Sequence, residues 1–215
     1  MGFFSVRWTG FLLVMIACFS VSVRESAATG GFPKPPNCKI LECPSYKVVF
    51  SGKDFEIRSY RNALWISSPP INSSSFEAAT GKGFGPLFAY IEGKNDRREK
   101  VGMTAPVVVD ISPFAGTFVV RFYLPRRYQK NPPRSKEVRP ETWPGTRYAA
   151  VRRFGGFLKD EVIPPQASAL RESLRGTRWE AAVISRPGGP TAYTVAGYDS
   201  PDERKNRINE VMFLF

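Results

Sequence analysis

Apolar and polar positions alternate around a glycine through Lys47-Val-Val-Phe-Ser-Gly and Asp54-Phe-Glu-Ile-Arg-Ser-Tyr60, as in a strand or hairpin with one wet face. Ala63-Leu-Trp-Ile-Ser67 continues as a second strand, and Pro69-Pro70 ends it. The period then changes. Ser74-Ser-Phe-Glu77 has the form of a capping box, and Phe76, Ala79, Phe84, Leu87, Phe88 and Ile91 fall on one helical face, which predicts a helix to about Glu92, stopped by Gly93. Inside it, Gly81-Lys-Gly-Phe-Gly-Pro86 opposes helix propensity and predicts a kink, or a restart with Pro86 in a first turn. Those glycines do not form a phosphate loop. The Walker spacing is missing, Pro86 stands where the last glycine of Gly-x-Gly-x-x-Gly belongs, and no strand directly precedes them.

Val107 to Ile111 and Phe118 to Leu124 predict a hairpin across the turn Pro113-Phe-Ala-Gly116. Pro125 to Gly145 reads as a long Pro-rich basic loop, with Arg126, Arg127, Lys130, Arg134, Lys136 and Arg139 along it. A solvated surface and a dedicated anion site are both open readings of that run. Arg147 to Phe154 is a strand ended by Gly155-Gly156. Pro164 to Leu174 is a helix with Pro in its first turn and Gly176 just beyond, and Ala192–Gly197 and Asn209–Phe215 are closing strands. The order strand, helix, strand, strand thus occurs twice. Val109-Asp-Ile-Ser-Pro113 is echoed by Gly197-Tyr-Asp-Ser-Pro201, which suggests an internal duplication. An α+β sheet or open barrel with a helix packed from each half follows.

A length of 215 residues allows one ordinary domain plus a processed end. Residues 1–28 carry Arg7, an apolar run from Phe11 to Phe19 and the small residues Ser26-Ala27-Ala28, the three regions of a secretory signal peptide. A retained membrane anchor is the alternative, and cleavage after Ser22 is a second possible exit. Residues 29–42 form a Pro/Gly-rich arm, and the folded domain is expected over 43–215. Removing 1–28 takes away Arg7, Arg24 and Glu25 and leaves the formal charge one unit below +12, so the mature chain stays strongly basic. Of three cysteines, Cys18 lies in the signal, which leaves Cys38 and Cys43 as a pair for a disulfide in an oxidising compartment, or as two free thiols. Asn72-Ser-Ser74 is a glycosylation sequon.

The sequence contains no histidine. Ser-His-Asp and Cys-His catalysis, histidine metal sites and histidine axial ligation of a haem by these residues are therefore excluded.

The ordered set Asp54-Phe-Glu-Ile-Arg-Ser-Tyr60, Gly83-Phe-x-x-Leu-Phe-x-Tyr-Ile91 with Gly93-x-Asn95, Met103-Thr-Ala-Pro-Val107, Phe122-Tyr-x-Pro125, Phe154-Gly-Gly156, Ala196-Gly-Tyr-Asp199 and Asn209-Glu-Val211 resembles the SOUL heme-binding protein family from about Cys43 onward. The resemblance implies a distorted barrel of two strand-helix-strand-strand repeats and a non-enzymatic protein that binds haem or another porphyrin. It also implies a pocket beside the first helix, with basic residues near that helix and in the loop before the last strand. Carried onto this chain, the helix gives Phe84, Leu87, Phe88 and Tyr90, with Lys82 as the nearby cation, and the next motif gives Met103. The last loop reads Asp202-Glu-Arg-Lys-Asn206, so Arg204 or Lys205 has to stand where a lysine is expected. With no histidine, the chain resembles members that hold the macrocycle without one and without a metal cofactor of the protein's own.

A porphyrin is a flat apolar disc with two carboxylates on one edge, so it needs an aromatic and aliphatic slot with cations at the rim. Burial at about 25 cal/mol per Å² of apolar surface provides useful affinity without a metal bond, even after association costs. Met103 is a possible thioether ligand, and packing is the competing role. Two other classes are weighed beside this one: a secreted basic protein that binds an anionic polymer through the loop 126–139, and a hydrolase or isomerase using Asp, Glu or Tyr. No carboxylates cluster to support the last, since Asp160-Glu161 and Asp202-Glu203 are neighbours in polar loops. A monomer in the secretory pathway, extracellular or vacuolar, with no transmembrane segment after processing and no nucleic-acid partner, completes the expectation.

Overall fold

The computed structural model describes residues 1–2, 31–185 and 192–215, so all but two residues of the expected signal peptide lie outside it. The strands are β1 (Tyr46–Ser51), β2 (Glu56–Ser67), β3 (Ile71–Asn72), β4 (Val107–Ser112), β5 (Thr117–Tyr123), β6 (Arg139–Phe154), β7 (Tyr193–Gly197) and β8 (Asn209–Leu214). The helices are α1 (Phe76–Ile91), α2 (Ile163–Leu174) and the short α3 (Glu180–Ile184). Among the described residues no helix is long and apolar enough to cross a membrane.

All named strands pair antiparallel in the order β1-β2-β6-β8-β7-β4-β5-β3. A second pairing, of Trp65, Ile66 and Ser67 in β2 with Tyr123, Phe122 and Arg121 in β5, closes the ring through β2, β6, β8, β7, β4 and β5. The expected α+β barrel of two repeats is thus present, and three residue pairs supply the closure. Each repeat contributes one long helix to the outer wall. α1 lies on β5, and α2 lies on β6 and β8.

Strand parity sorts the side chains between wall faces. Val109, Ile111, Val120, Phe122, Ile66 and Leu64 turn outward onto α1, with Phe76, Ala79, Leu87 and Ile91 against them. Ile57, Ala150, Val211 and Phe213 turn outward onto Ala167, Leu170 and Leu174 of α2. The lumen holds Tyr60, Trp65, Val108, Trp143, Ala149, Tyr198 and Met212. It is filled with side chains, and Trp65 and Trp143 touch at its centre with ring centroids 4.8 Å apart.

β2 keeps this sorting over 12 residues only because it changes phase once. The register shifts between Arg61 and Ala63, where Asn62 adopts φ 44° and Gly145 on β6 adopts φ 60°. The Gly145 N–H donates to Asn62 Oδ1 (3.1 Å). Asparagine tolerates this left-handed conformation better than most residues. Before the bulge, Glu56, Arg58 and Tyr60 face inward; after it, Ala63, Trp65 and Ser67 do.

Three sequence expectations are corrected. Asp54–Tyr60 and Ala63–Ser67 are one strand with a bulge, since both halves find partners on β6. The Pro-rich loop ends at Val138, because Arg139–Trp143 pair with the second half of β2 and carry Trp143 inward. The helix does not restart at Pro86: α1 is continuous through it. Its N-cap is Ser75, whose hydroxyl accepts from the Ala78 N–H at 3.2 Å, one residue later than the capping box implied. Pro86 has no N–H to give the Lys82 carbonyl, and it meets this loss on the side of the helix where Lys82 is exposed. Gly85 precedes it without a Cβ to clash with the proline ring.

Candidate ligand-binding site

The segment Val101–Pro106 is the irregular run that leads into β4, and Ala105–Pro106 is a cis peptide. Its backbone is fixed from both sides. Thr104 Oγ1 donates to the Tyr123 carbonyl (2.6 Å), and the Ala105 N–H donates to the Glu42 carbonyl (3.0 Å). Thr104 and Ala105 are buried, which leaves Met103 partly exposed on the surface between α1 and the barrel.

There an apolar groove of about 760 Å³ opens. Phe76, Phe84 and Phe88 of α1 form one side, and Met103, Val107 and Val109 form the floor. Phe84 and Phe88 stack at 5.7 Å with 16° between their planes, and Phe84 also meets Phe122 edge-on at 5.2 Å. The far side comes from Phe157 and Leu158 after β6, and from Tyr198–Pro201 and Arg207 between β7 and β8. Phe88, Met103 and Phe157 are among the few large apolar side chains left exposed, and they all belong to this one surface.

Backbone turns bring the far side into place. Gly156 adopts φ 83°, and its carbonyl accepts from Asn209 Nδ2 (2.8 Å), which sets Phe157 and Leu158 over the groove. Asp199 accepts from the Ile208 N–H at 2.6 Å and pins the two ends of the β7–β8 loop together. Arg207 spans that loop, donating through Nη1 to the carbonyls of Ser200 (2.7 Å) and Glu203 (2.6 Å), and its guanidinium sits 4.7 Å from the Phe157 ring centroid.

Two polar atoms on this lining are buried without a hydrogen-bond partner: Thr80 Oγ1 and Arg207 Nε. The groove thus combines an apolar, aromatic surface with the Arg207 cation among its lining residues. A flat apolar body bearing carboxylates satisfies both conditions, and the volume lies within the 300–1,000 Å³ usual for ligand sites.

The anticipated residues divide. Phe84, Phe88 and Met103 line the groove. Leu87 and Tyr90 do not: both are core residues, and the Tyr90 hydroxyl donates to the Pro133 carbonyl (2.9 Å). Burial, then the nearby Asp96 carboxylate, pushes that hydroxyl's pKa up to about 12. Lys82 is exposed on α1 beside Gly81 but outside the lining, and Arg204 and Lys205 are exposed on the β7–β8 loop, where Arg207 is the cation that reaches the groove. Sequence reasoning missed Leu41, Thr80, Phe157, Leu158 and Arg207. Phe157-Leu158 had a signal, an apolar pair directly after Gly155-Gly156.

The lumen holds a separate set of charges that the sequence did not flag. Arg58 is fully buried, bonded to Glu56 through Nε (2.7 Å) and to both oxygens of Glu210 (2.8 and 2.9 Å). Glu210 also accepts from Arg153 Nη2 (2.8 Å) and the Tyr198 hydroxyl (2.9 Å). Burial alone favours neutral Glu210, but the Arg58 and Arg153 charges outweigh it and depress its pKa. The carboxylate oxygens of Glu56 and Glu210 are all paired, Glu56 Oε1 with the Phe32 N–H of the N-terminal arm, so the network seals the lumen and ties the arm to it. Among the described residues no group of three or more His, Cys, Asp or Glu side chains is arranged to hold a metal ion.

A filled barrel with an apolar groove on its outer wall defines a small-ligand-binding protein of the α+β class. Residues 41–214 match the SOUL heme-binding protein family, and the chain belongs to it. It is 34% identical over 168 residues to "Heme-binding protein 2" of Homo sapiens, covering 74% of this chain and 77% of that one. It is 28% identical over 176 residues to "Heme-binding protein 1" of Xenopus laevis, covering 76% and 84%.

Proposed function

We propose that the groove beside α1 binds haem or another tetrapyrrole without histidine ligation, and that the protein carries, buffers or scavenges this ligand and does not transform it. The observation that carries the reading is an aromatic groove of porphyrin-compatible volume with the Arg207 cation among its lining residues. The macrocycle lies against Phe84, Phe88, Met103 and Phe157, and a propionate accepts from Arg207. These residues contain no imidazole, so affinity rests on apolar burial and a rim cation, with the Met103 thioether as the one sulfur on the lining.

The names of the relatives support a haem ligand, and the Cys38–Cys43 disulfide supports an oxidising compartment, in line with residues 1–28 as a secretory signal. In that setting the protein is a monomer, extracellular or vacuolar, with a glycan on Asn72, which is exposed on β3.

Titrating hemin and metal-free protoporphyrin IX into the mature chain, followed by the Soret band, tests the reading. Saturable binding of both in the micromolar range is expected, and no saturable change with either sinks it. Arg207→Ala is expected to weaken binding about ten-fold, the equivalent of losing a charge-assisted hydrogen bond of about 1.5 kcal/mol. Met103→Leu keeps the shape of the groove and separates packing, which leaves the hemin spectrum unchanged, from thioether contact, which alters it.

A second reading has one observation in its favour. The loops 93–100 and 126–137 bond to each other through Asp96 and Arg134 and through Arg97 and Asn131, which gathers Arg97, Arg98, Arg126, Lys130, Arg134 and Lys136 onto adjoining loops. An anionic polymer is the partner that such a surface fits. Salt-sensitive retention on an anionic resin without any hemin effect favours it over the tetrapyrrole reading.

A further inference from the structure

The family match starts at residue 41, and the chain on either side of that point reaches both walls of the groove. Asn37 Nδ2 donates to the Tyr198 carbonyl (2.7 Å) and to Asp199 Oδ1 (2.8 Å) on the β7–β8 side. Five residues later, the Glu42 carbonyl accepts from the Ala105 N–H (3.0 Å), and Glu42 forms a parallel bridge with Thr104 on the Met103 side. Between them Leu41 lies on the groove lining itself. The disulfide Cys38–Cys43 closes this loop, and both cysteines are only half-buried.

We propose that the loop Cys38–Cys43 is a third, thiol-reversible wall of the ligand site. Leu41 is a ligand-contacting residue, and Asn37 and Glu42 are positioning residues that set the distance between the other two walls. A dithiol reductant opens the device: its two thiols become a disulfide, the Cys38–Cys43 S–S bond breaks, and two cysteine thiols form. A closed loop of this size has few open states, whereas the reduced segment retains only a single short 3₁₀ turn, Pro36–Lys39, and its bonds to the groove walls exchange with solvent more readily. The ligand's residence time falls with it. The chemistry is that of a carrier which holds an apolar macrocycle in an oxidising compartment and gives it up to a dithiol-rich one.

This inference rests on the groove being the tetrapyrrole site, and the test separates the two ideas. Metal-free protoporphyrin IX is the probe, since it gives a reductant no iron to act on. Dissociation rate and hydrogen exchange of segments 103–107 and 198–202 are measured for the oxidised mature chain, the chain treated with dithiothreitol, and the double variant Cys38→Ser/Cys43→Ser. The expected result is faster exchange in both segments on opening and a dissociation rate about ten-fold higher, the effect of lost contacts appearing mainly in the off-rate. Leu41→Ser and Asn37→Ala keep the disulfide, are expected to speed dissociation as well, and decide the matter if the double variant does not fold. Unchanged dissociation in all of these, with the oxidised chain binding normally, overturns the proposal. If the oxidised chain does not bind porphyrin, the tetrapyrrole reading fails, and the exchange comparison alone decides whether the loop is a latch.

Discussion

At Gly83, which α1 presses against β5, a Cβ would stand 2.4 Å from Val120 Cγ2 and 2.9 Å from Ile71 Cδ1. The glycine is therefore a packing requirement, while Gly81 in the same run meets nothing within 4 Å. Gly83→Val is expected to destabilise by about 1–3 kcal/mol through overpacking, and Gly81→Ala to stabilise by about 0.5–1 kcal/mol, both read from denaturant midpoints. The sequence showed three glycines in a helix without distinguishing them, because the difference lies in the strands beneath. Arg58 and Glu210 show the same blindness. Both sit in quoted motifs, but alternating strands put Arg58 on the face that looked wet, and only barrel closure makes that face dry. Removing Arg58 leaves Glu56 buried without its counter-charge and Glu210 with Arg153 as its remaining cation, so Arg58→Met is expected to cost about 3–5 kcal/mol in equilibrium unfolding.

The start of α1 is held by another element. Asp160, in the turn before α2, accepts from the Ser75 hydroxyl (2.6 Å) and the Phe76 N–H (2.5 Å). In sequence it is one of two adjacent acids in a polar loop; in space it joins the first helix to the second half of the chain. The Ser75 hydrogen bond, opposed by partial burial and aided by the Phe76 N–H, lowers its pKa below the ordinary 3.8. A depressed carboxylate stabilises the fold above its unfolded pKa and loses that contribution as pH falls through its folded one. Asp160→Asn is thus expected to cost about 1 kcal/mol at pH 7 and progressively less below about pH 4. Urea midpoints at the two pH values check this. The elements legible in the sequence were those whose pattern is local, namely the β4–β5 hairpin, α2 and β8. The second half of β6, from Arg147, was legible, but its first half was hidden by Pro140 and Pro144 because its reason to be a strand is the length of β2 opposite, and α3 carried no periodic signal of its own.

For the molecule as a whole, the barrel and its two repeats were readable from element order, and of the eight anticipated ligand-site residues Phe84, Phe88 and Met103 lie on the groove lining, in the half formed by α1 and the lead into β4. The other half of the lining comes from the chain before β1, the turn after β6 and the loop before β8, which are brought together only by the closed ring. Glu210 and Glu141 are both depressed below their ordinary 4.5, by Arg58 and by Arg121 respectively, in each case against the effect of burial. Their contribution is present above about pH 4.5 and lost as pH falls below it, so thermal stability is expected to hold to that point and then drop. A midpoint that rises on acidification would contradict it. One consequence concerns light. The lining contains no tryptophan, while Trp65 and Trp143 lie sealed behind β4, where Val107 and Val109 face the groove and Val108 faces the lumen. A bound porphyrin darkens the indole emission of that pair only by dipolar energy transfer through the barrel wall, never by contact. The depth of quenching is therefore a ruler for where the macrocycle sits, and differs between a ligand in the groove and one stuck to the basic loops.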